Sequence, residues 1–165
     1  MDTKNADKKA LLELLIAQVT DDLYRARQAA LAAAEGATHE ENRAEGSKDM
    51  RATEASYLAR GQVMRVEELE ASLNRLRLMP LASFNAETPI SAGALVCLED
   101  EDATVKWYWL VTAAAGYRLK LRDISLTTIT VQSPLGRELV ERRQGDGVEL
   151  FAGGRHQQLD IIEVK

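Results

Sequence analysis

Residues 129–164 read ITVQSPLGRELVERRQGDGVELFAGGRHQQLDIIEV, and this stretch decides how the second half of the chain folds. Ser133 precedes Pro134. Serine is a favoured helix N-cap and proline suits the first helical position, so a short helix starts here. Leu135, Leu139 and Val140 follow at spacings that let them face a sheet from that helix. The QGDG stretch, 144–147, turns the chain. VELFA (148–152) and RHQQLDIIEV (155–164) then flank Gly153-Gly154, a pair suited to a two-residue hairpin loop.

Working back towards the N-terminus, strand patterns continue. LTTITVQ (126–132), YRLKL (117–121), TVKWYWLVT (104–112) and ALVCLED (94–100) are strand candidates. Tyr117, Leu119 and Leu121 alternate, and Trp107 and Trp109 share one face with Tyr108 on the other. Residues 79–165 therefore predict a small, mostly antiparallel sheet carrying one short helix. MPLASFNAETPISAGA (79–94) holds two prolines and serves as its entry or linker.

Before Met79 the period changes. Leu12, Ile16, Val19, Leu23, Ala26, Ala30 and Ala33 recur at alternating steps of four and three, the seam of a coiled coil. Ala52, Ala55, Ala59, Gln62, Val66, Leu69, Leu73 and Leu76 form a second seam. Gly36, Asn42 and Gly46 lie between and can break the helix. An antiparallel hairpin over residues 1–78, with an acidic tip near 36–49, matches the seams by size. Large residues meet at the base and alanines at the far end. Each arm of roughly thirty residues would extend roughly 40 Å. A dimerising coiled coil or a spacer is the plainer alternative, and a monomer is expected if the hairpin is intramolecular.

Composition narrows the function. A net charge of -5 argues against a chain held to nucleic acid by phosphate neutralisation. Cys97 is the single cysteine, so neither a disulfide framework nor a cysteine-rich metal site is available. The start, MDTKNADKK, lacks an apolar signal segment and no run is long enough to span a membrane, so the cytoplasm is the expected location.

The quoted stretch closely resembles the C-terminal end of the bacterial Gre transcript-cleavage factors, of GreA and GreB type. The resemblance rests on Ser133, Pro134, Leu135, Arg137, Leu139, Gly145, Asp146 and Val148, and on a glycine turn before a final strand. The order of parts agrees, a helical hairpin and then a small FKBP-like sheet domain, so the fold class is α+β. The resemblance spans nearly the whole chain and is strongest over 129–164. It implies a partner, RNA polymerase, whose secondary channel the hairpin enters while the sheet domain docks on the rim. Gln132, Ser133, Pro134 and Leu135 match the docking segment. Carboxylates at the tip would help the polymerase's own Mg2+ chemistry cleave backtracked RNA, with only indirect contact to the nascent transcript. The factor would hold no metal or cofactor alone and would not itself be an enzyme.

The tip stretch EGATHEENRAEGSKDM (35–50) supplies candidate carboxylates at Glu40, Glu41, Glu45 and Asp49. Anchored on EELEASL (67–73), the family's essential glutamate falls on Lys48. A cation there opposes metal binding. Two mechanisms stay open, stimulated cleavage and occupation of the channel without cleavage. A charged, solvated turn explains the same residues without any role, and His39 is most simply solvated too. An FKBP-like sheet also raises prolyl isomerase activity, for which Trp107, Trp109, Tyr117 and Phe151 would have to line a pocket. Cys97 paired with His39 or His156 as nucleophile and base is a weaker option than a buried structural thiol.

Overall fold

A computed structural model of the chain describes residues 3–43 and 50–165. Two long helices, α1 (Thr3–Arg43) and α2 (Met50–Arg77), precede the strands β1 (Leu95–Asp100), β2 (Val105–Val111), β3 (Arg118–Leu121) and β4 (Ile124–Thr130). A short helix, α3 (Pro134–Leu139), and the strands β5 (Gly147–Ala152) and β6 (Arg155–Val164) complete the chain. The chain divides into two compact units, one spanning Ala17–Asn74 and one combining Met1–Ile16 with Arg75–Lys165.

In the helical unit, Val19, Leu23 and Ala26 on α1 and Leu69 and Leu73 on α2 are buried. Ala30, Ala33, Ala52, Ala55, Ala59, Gln62 and Val66 are half-buried, so the seam holds along both helices. Arg27 pairs with Glu70 at 2.6 Å. Each of these two residues directly follows a seam residue, Ala26 and Leu69. Reversing one helix end for end brings such like flanks together, so the pair marks an antiparallel arrangement. The pair is largely exposed and contributes at most about 1 kcal/mol. Burial of the seam is what holds the helices.

Two expectations about α1 need correction. The helix runs through Gly36 to Arg43, so Gly36 does not break it. A β-carbon there would meet nothing within 4 Å, so the glycine serves no close contact. Its cost of about 1 kcal/mol relative to alanine is too small to end a helix that its neighbours favour. At the base of α1 the buried residues are Lys8, Leu11 and Leu15, while Leu12 and Ile16 are only half-buried. The buried stripe has rotated because these turns belong to the second unit. There the Lys8 ammonium donates to the Ala82 carbonyl at 2.7 Å and lies 4.6 Å from the centre of the Phe84 ring.

The six strands form one sheet in the order β3-β4-β2-β1-β6-β5. Every pairing is antiparallel except β2 with β4. Central β1 is buried from Leu95 to Leu98, the continuous apolar run expected of a strand covered on both faces. Val96, Leu98, Leu110, Ile129, Val148 and Ile161 pack with Leu135 and Leu139 of α3 on one face, and Phe84 and Ile90 of the entry segment join them. Trp109 is fully buried, and its Nε1–H donates to the Gly93 carbonyl at 3.3 Å. The β5–β6 hairpin turns at Gly153-Gly154, both at positive φ (58° and 74°), as a type I′ loop requires.

Candidate functional site

The segment from Gln132 to Leu135 is built by its own capping chemistry. Ser133 has extended backbone (φ -64°, ψ 155°), and its Oγ accepts from the Gly136 N–H at 3.1 Å. The same hydroxyl donates to the Thr130 carbonyl at 2.7 Å. Arg137 Nε donates to the Gln132 carbonyl at 2.9 Å. These bonds fix the turn from β4 into α3. Gln132 and Pro134 are exposed, Ser133 is half-buried, and Leu135 points into the core. Only the first three are open to a partner. Leu135 holds the segment from beneath.

Gly136 completes the turn and was missed by motif reading. A β-carbon there would lie 2.0 Å from the Thr130 carbonyl oxygen, so no side chain fits. The signal was present as the glycine of SPLG, but its reason is the backbone approach of β4 to α3.

The tip carboxylates fare differently. Glu40 and Glu41 fall in the last turns of α1, past the expected break. Their side chains lie outside the described residues, as do Glu45, Lys48 and Asp49 altogether. His39 is exposed. Among the described residues, no group of three or more His, Cys, Asp or Glu could hold a metal ion.

The remaining candidates separate. Cys97 is 3% exposed, and burial, reinforced by the charge of Glu163, pushes its thiol up to about 11. Such a group is not a thiolate nucleophile at neutral pH. His156 sits on the β5–β6 hairpin beside Glu149 at 3.3 Å, its ring centre 4.5 Å from that of Phe151. Of the four aromatics an isomerase pocket would need, Trp109 is core and Phe151 is 75% exposed, so they are split between interior and surface. Asp100 closes the β1–β2 turn by accepting the N–H groups of Thr104 and Asp102 at 2.9 and 3.1 Å. The Thr104 bond foremost holds its carboxyl below the usual carboxylate range. No helix among the described residues is long and apolar enough to cross a membrane.

Comparison with known proteins joins these parts. The chain is 34% identical over 101 residues to the transcription elongation factor GreA of Nitrobacter hamburgensis, covering 61% of this chain and 60% of that protein. Over that stretch the chain is similar to GreA. GreA of Alkalilimnicola ehrlichii is 29% identical over 101 residues, 61% of each chain. The matched stretch thus spans about 60% of the length of these GreA proteins. No protein-family model matches. Among solved structures, the GreA factor homolog 1 (Gfh1) of Thermus thermophilus aligns over 91% of this chain and 94% of its own, at 19% identity and a TM-score of 0.39. GreA/GreB from Nitrosomonas europaea aligns over 61% of this chain and 78% of its own, at 24% identity and a TM-score of 0.35.

Proposed function

We propose that the chain is a Gre-like transcription factor that binds RNA polymerase at its secondary channel and modulates elongation. The observation that carries this reading is the 34% identity over 101 residues to a transcription elongation factor, GreA. A narrow alanine-lined helical unit and a sheet unit with a rigid, partly exposed capping turn suit it. In this reading Gln132, Ser133 and Pro134 meet the polymerase rim, and the capping bonds present them in one backbone shape. The helical unit enters the channel as a monomeric hairpin inside the cell.

Two mechanisms follow from the tip. In the first, Glu40, Glu41, Glu45 or Asp49 lends oxygen ligands to the polymerase's Mg2+ centre, where hard cations and an activated water need them. The chain is then a donor of side chains to another protein's catalysis and no enzyme itself. In the second, the hairpin occupies the channel without supporting cleavage. Lys48 favours the second, because a cation repels the metal a glutamate would hold.

The test is a backtracked complex of RNA polymerase from the same source, read by release of short 3′ RNA fragments. Stimulated release that is lost in the Glu41→Ala/Glu45→Ala double variant assigns cleavage to the tip. Release that survives the double variant removes these residues from the chemistry. Slowed elongation with no release assigns channel occupation. No effect on any polymerase readout contradicts the proposal.

A further inference from the structure

The strands β2, β3 and β4 bring cations from separate stretches of the chain onto one face of the sheet. Leu110 and Ile129 pack with Leu135 and Leu139 of α3. Tyr108 and Thr127 precede them by two residues on β2 and β4, and side chains alternate along a strand, so they share that face. Arg118 pairs with Thr127 and Lys120 with Ser125 across β3 and β4, which puts both cations there too. Lys106 joins them, two residues before Tyr108 on β2. Near the starts of β2 and β4 these residues line a groove of about 420 Å³. Lys106, Arg118, Lys120 and Ser125 are exposed, and Tyr108 and Thr127 are half-buried. All of them belong to the unit that holds the strands.

Three observations separate this groove from an ordinary solvated face. The first is the state of its cations. Among the described residues, Arg118 and Lys120 form no ion pair and no carboxylate lines the groove. Lys106 has Asp100 at 3.7 Å, too far for a hydrogen bond, and that carboxylate already accepts the N–H groups of Thr104 and Asp102. The second is contrast. The chain carries a net charge of -5, so a basic groove runs against its overall balance. The third is placement. β3 is an edge strand, and cations on an edge discourage unwanted strand pairing. That accounts for Arg118 and Lys120 alone. It does not account for Lys106 and Tyr108, which lie on β2 inside the sheet.

We propose that this groove binds a single-stranded nucleic acid, its phosphates on Arg118, Lys120 and Lys106 and one base against the Tyr108 ring. Arg118 and Lys120 stand two residues apart on one strand, roughly 7 Å, so they meet separate phosphates of an extended chain. Ser125 and Thr127 offer hydroxyl donors to the same backbone. An aromatic ring takes any base, so the binding is tolerant of sequence. The cations lie on β3 and β2, with only β4 between, and so span roughly 10 Å. That is less than the roughly 12 Å width of a duplex major groove, too little to reach both backbones of a duplex. An acidic protein segment would meet the same cations but has no base to stack on Tyr108. The capping turn and the hairpin tip take no part, so the proposal stands apart from the polymerase reading.

The probe is a short fluorescein-labelled oligouridylate added to the full chain without polymerase, read by fluorescence anisotropy as salt is varied. Three phosphate contacts on a single strand predict a log–log salt slope of about -2, so affinity should fall about 20-fold between about 20 and 80 mM salt. The Arg118→Gln/Lys120→Gln double variant should flatten the slope to about -0.7 and weaken binding at least about tenfold at the lower salt. Both side chains are exposed, so circular dichroism should show the fold unchanged. Tyr108→Leu should weaken binding roughly fivefold with the slope unmoved, because stacking releases no counterions. Arg25→Gln, in the helical unit, should leave the affinity as it was. Absence of saturable binding at the lower salt overturns the proposal. Equal losses in Arg25→Gln and the double variant overturn it as well, since the attraction is then diffuse. An oligoglutamate that competes as well as unlabelled oligouridylate also overturns it, and assigns the groove to an acidic protein segment.

Discussion

The two units solve the burial problem differently. The strand-bearing unit buries large side chains from both faces of a sheet, with Trp109, Leu110, Leu139 and Ile161 essentially removed from solvent. The helical unit has one thin seam, and towards the ends of α1 and α2 away from the base that seam is alanine. Its half-buried positions outnumber its buried ones, and Tyr24, Leu31, Tyr57 and Met64 remain exposed. A sheet covered on both sides can be rigid because each residue has many neighbours. A two-helix seam gains little per turn, so its stability depends on a few large residues such as Leu69 and Leu73. The difference is between a sheet packed on both faces and a thin seam of two helices.

Substitutions can break or sharpen that contrast. The largest effect is expected at Gly136→Ala. A methyl group 2.0 Å from the Thr130 carbonyl must displace α3 from β4, so a loss of at least about 3 kcal/mol is expected in urea denaturation. A loss below about 1 kcal/mol would show that the turn is looser than its bonds imply. Next comes Leu73→Ala, expected to cost about 2–4 kcal/mol, read as loss of helical circular dichroism at lower temperature. The same truncation at exposed Leu58 should change little, and equal effects would mean the seam has been misplaced.

Gly36→Ala and Gly61→Ala run the other way. Both glycines lie inside helices, and a β-carbon at either meets nothing within 4 Å. Each exchange should raise stability by roughly 0.5–1 kcal/mol, seen as a higher melting temperature. A decrease would reveal a contact that needs the bare backbone. The smallest effect concerns pH. The Asp100 carboxyl is held below its ordinary value of 3.8, so its contribution is complete above that value. It fades as pH falls through the lower folded value. Asp100→Asn should therefore lower the melting temperature slightly at neutral pH and leave a shallower decline on acidification. An unchanged acid profile would exclude the turn from that decline.

Sequence patterning read some of this well and some not at all. All eight seam positions of α2 are buried or half-buried, because a heptad repeat carries its own register. The Ser133-Pro134 cap and the Gly153-Gly154 loop were legible because their local chemistry dictates them. The base of α1 was misread by one position, since what covers Lys8 comes from Ala82, distant in the chain. The parallel pairing of β2 with β4 likewise depends on where β3 is set aside at the edge. The need for glycine at position 136 arises only from the backbone approach of β4 to α3. Of the candidate site, the turn from Gln132 to Leu135 was legible down to its cap, and so was the inward face of Leu135.

The measurement that tests the central claim most directly is competition with a cleaving GreA on backtracked RNA polymerase from the same source. The readout is the rate of 3′ RNA fragment release as this chain is titrated in. A factor that occupies the same channel without supporting cleavage should suppress GreA-stimulated release in a saturable manner, and a Gln132→Ala/Pro134→Ala variant should need a higher concentration to do so. Release unaffected at saturating concentrations of the folded chain would contradict the account.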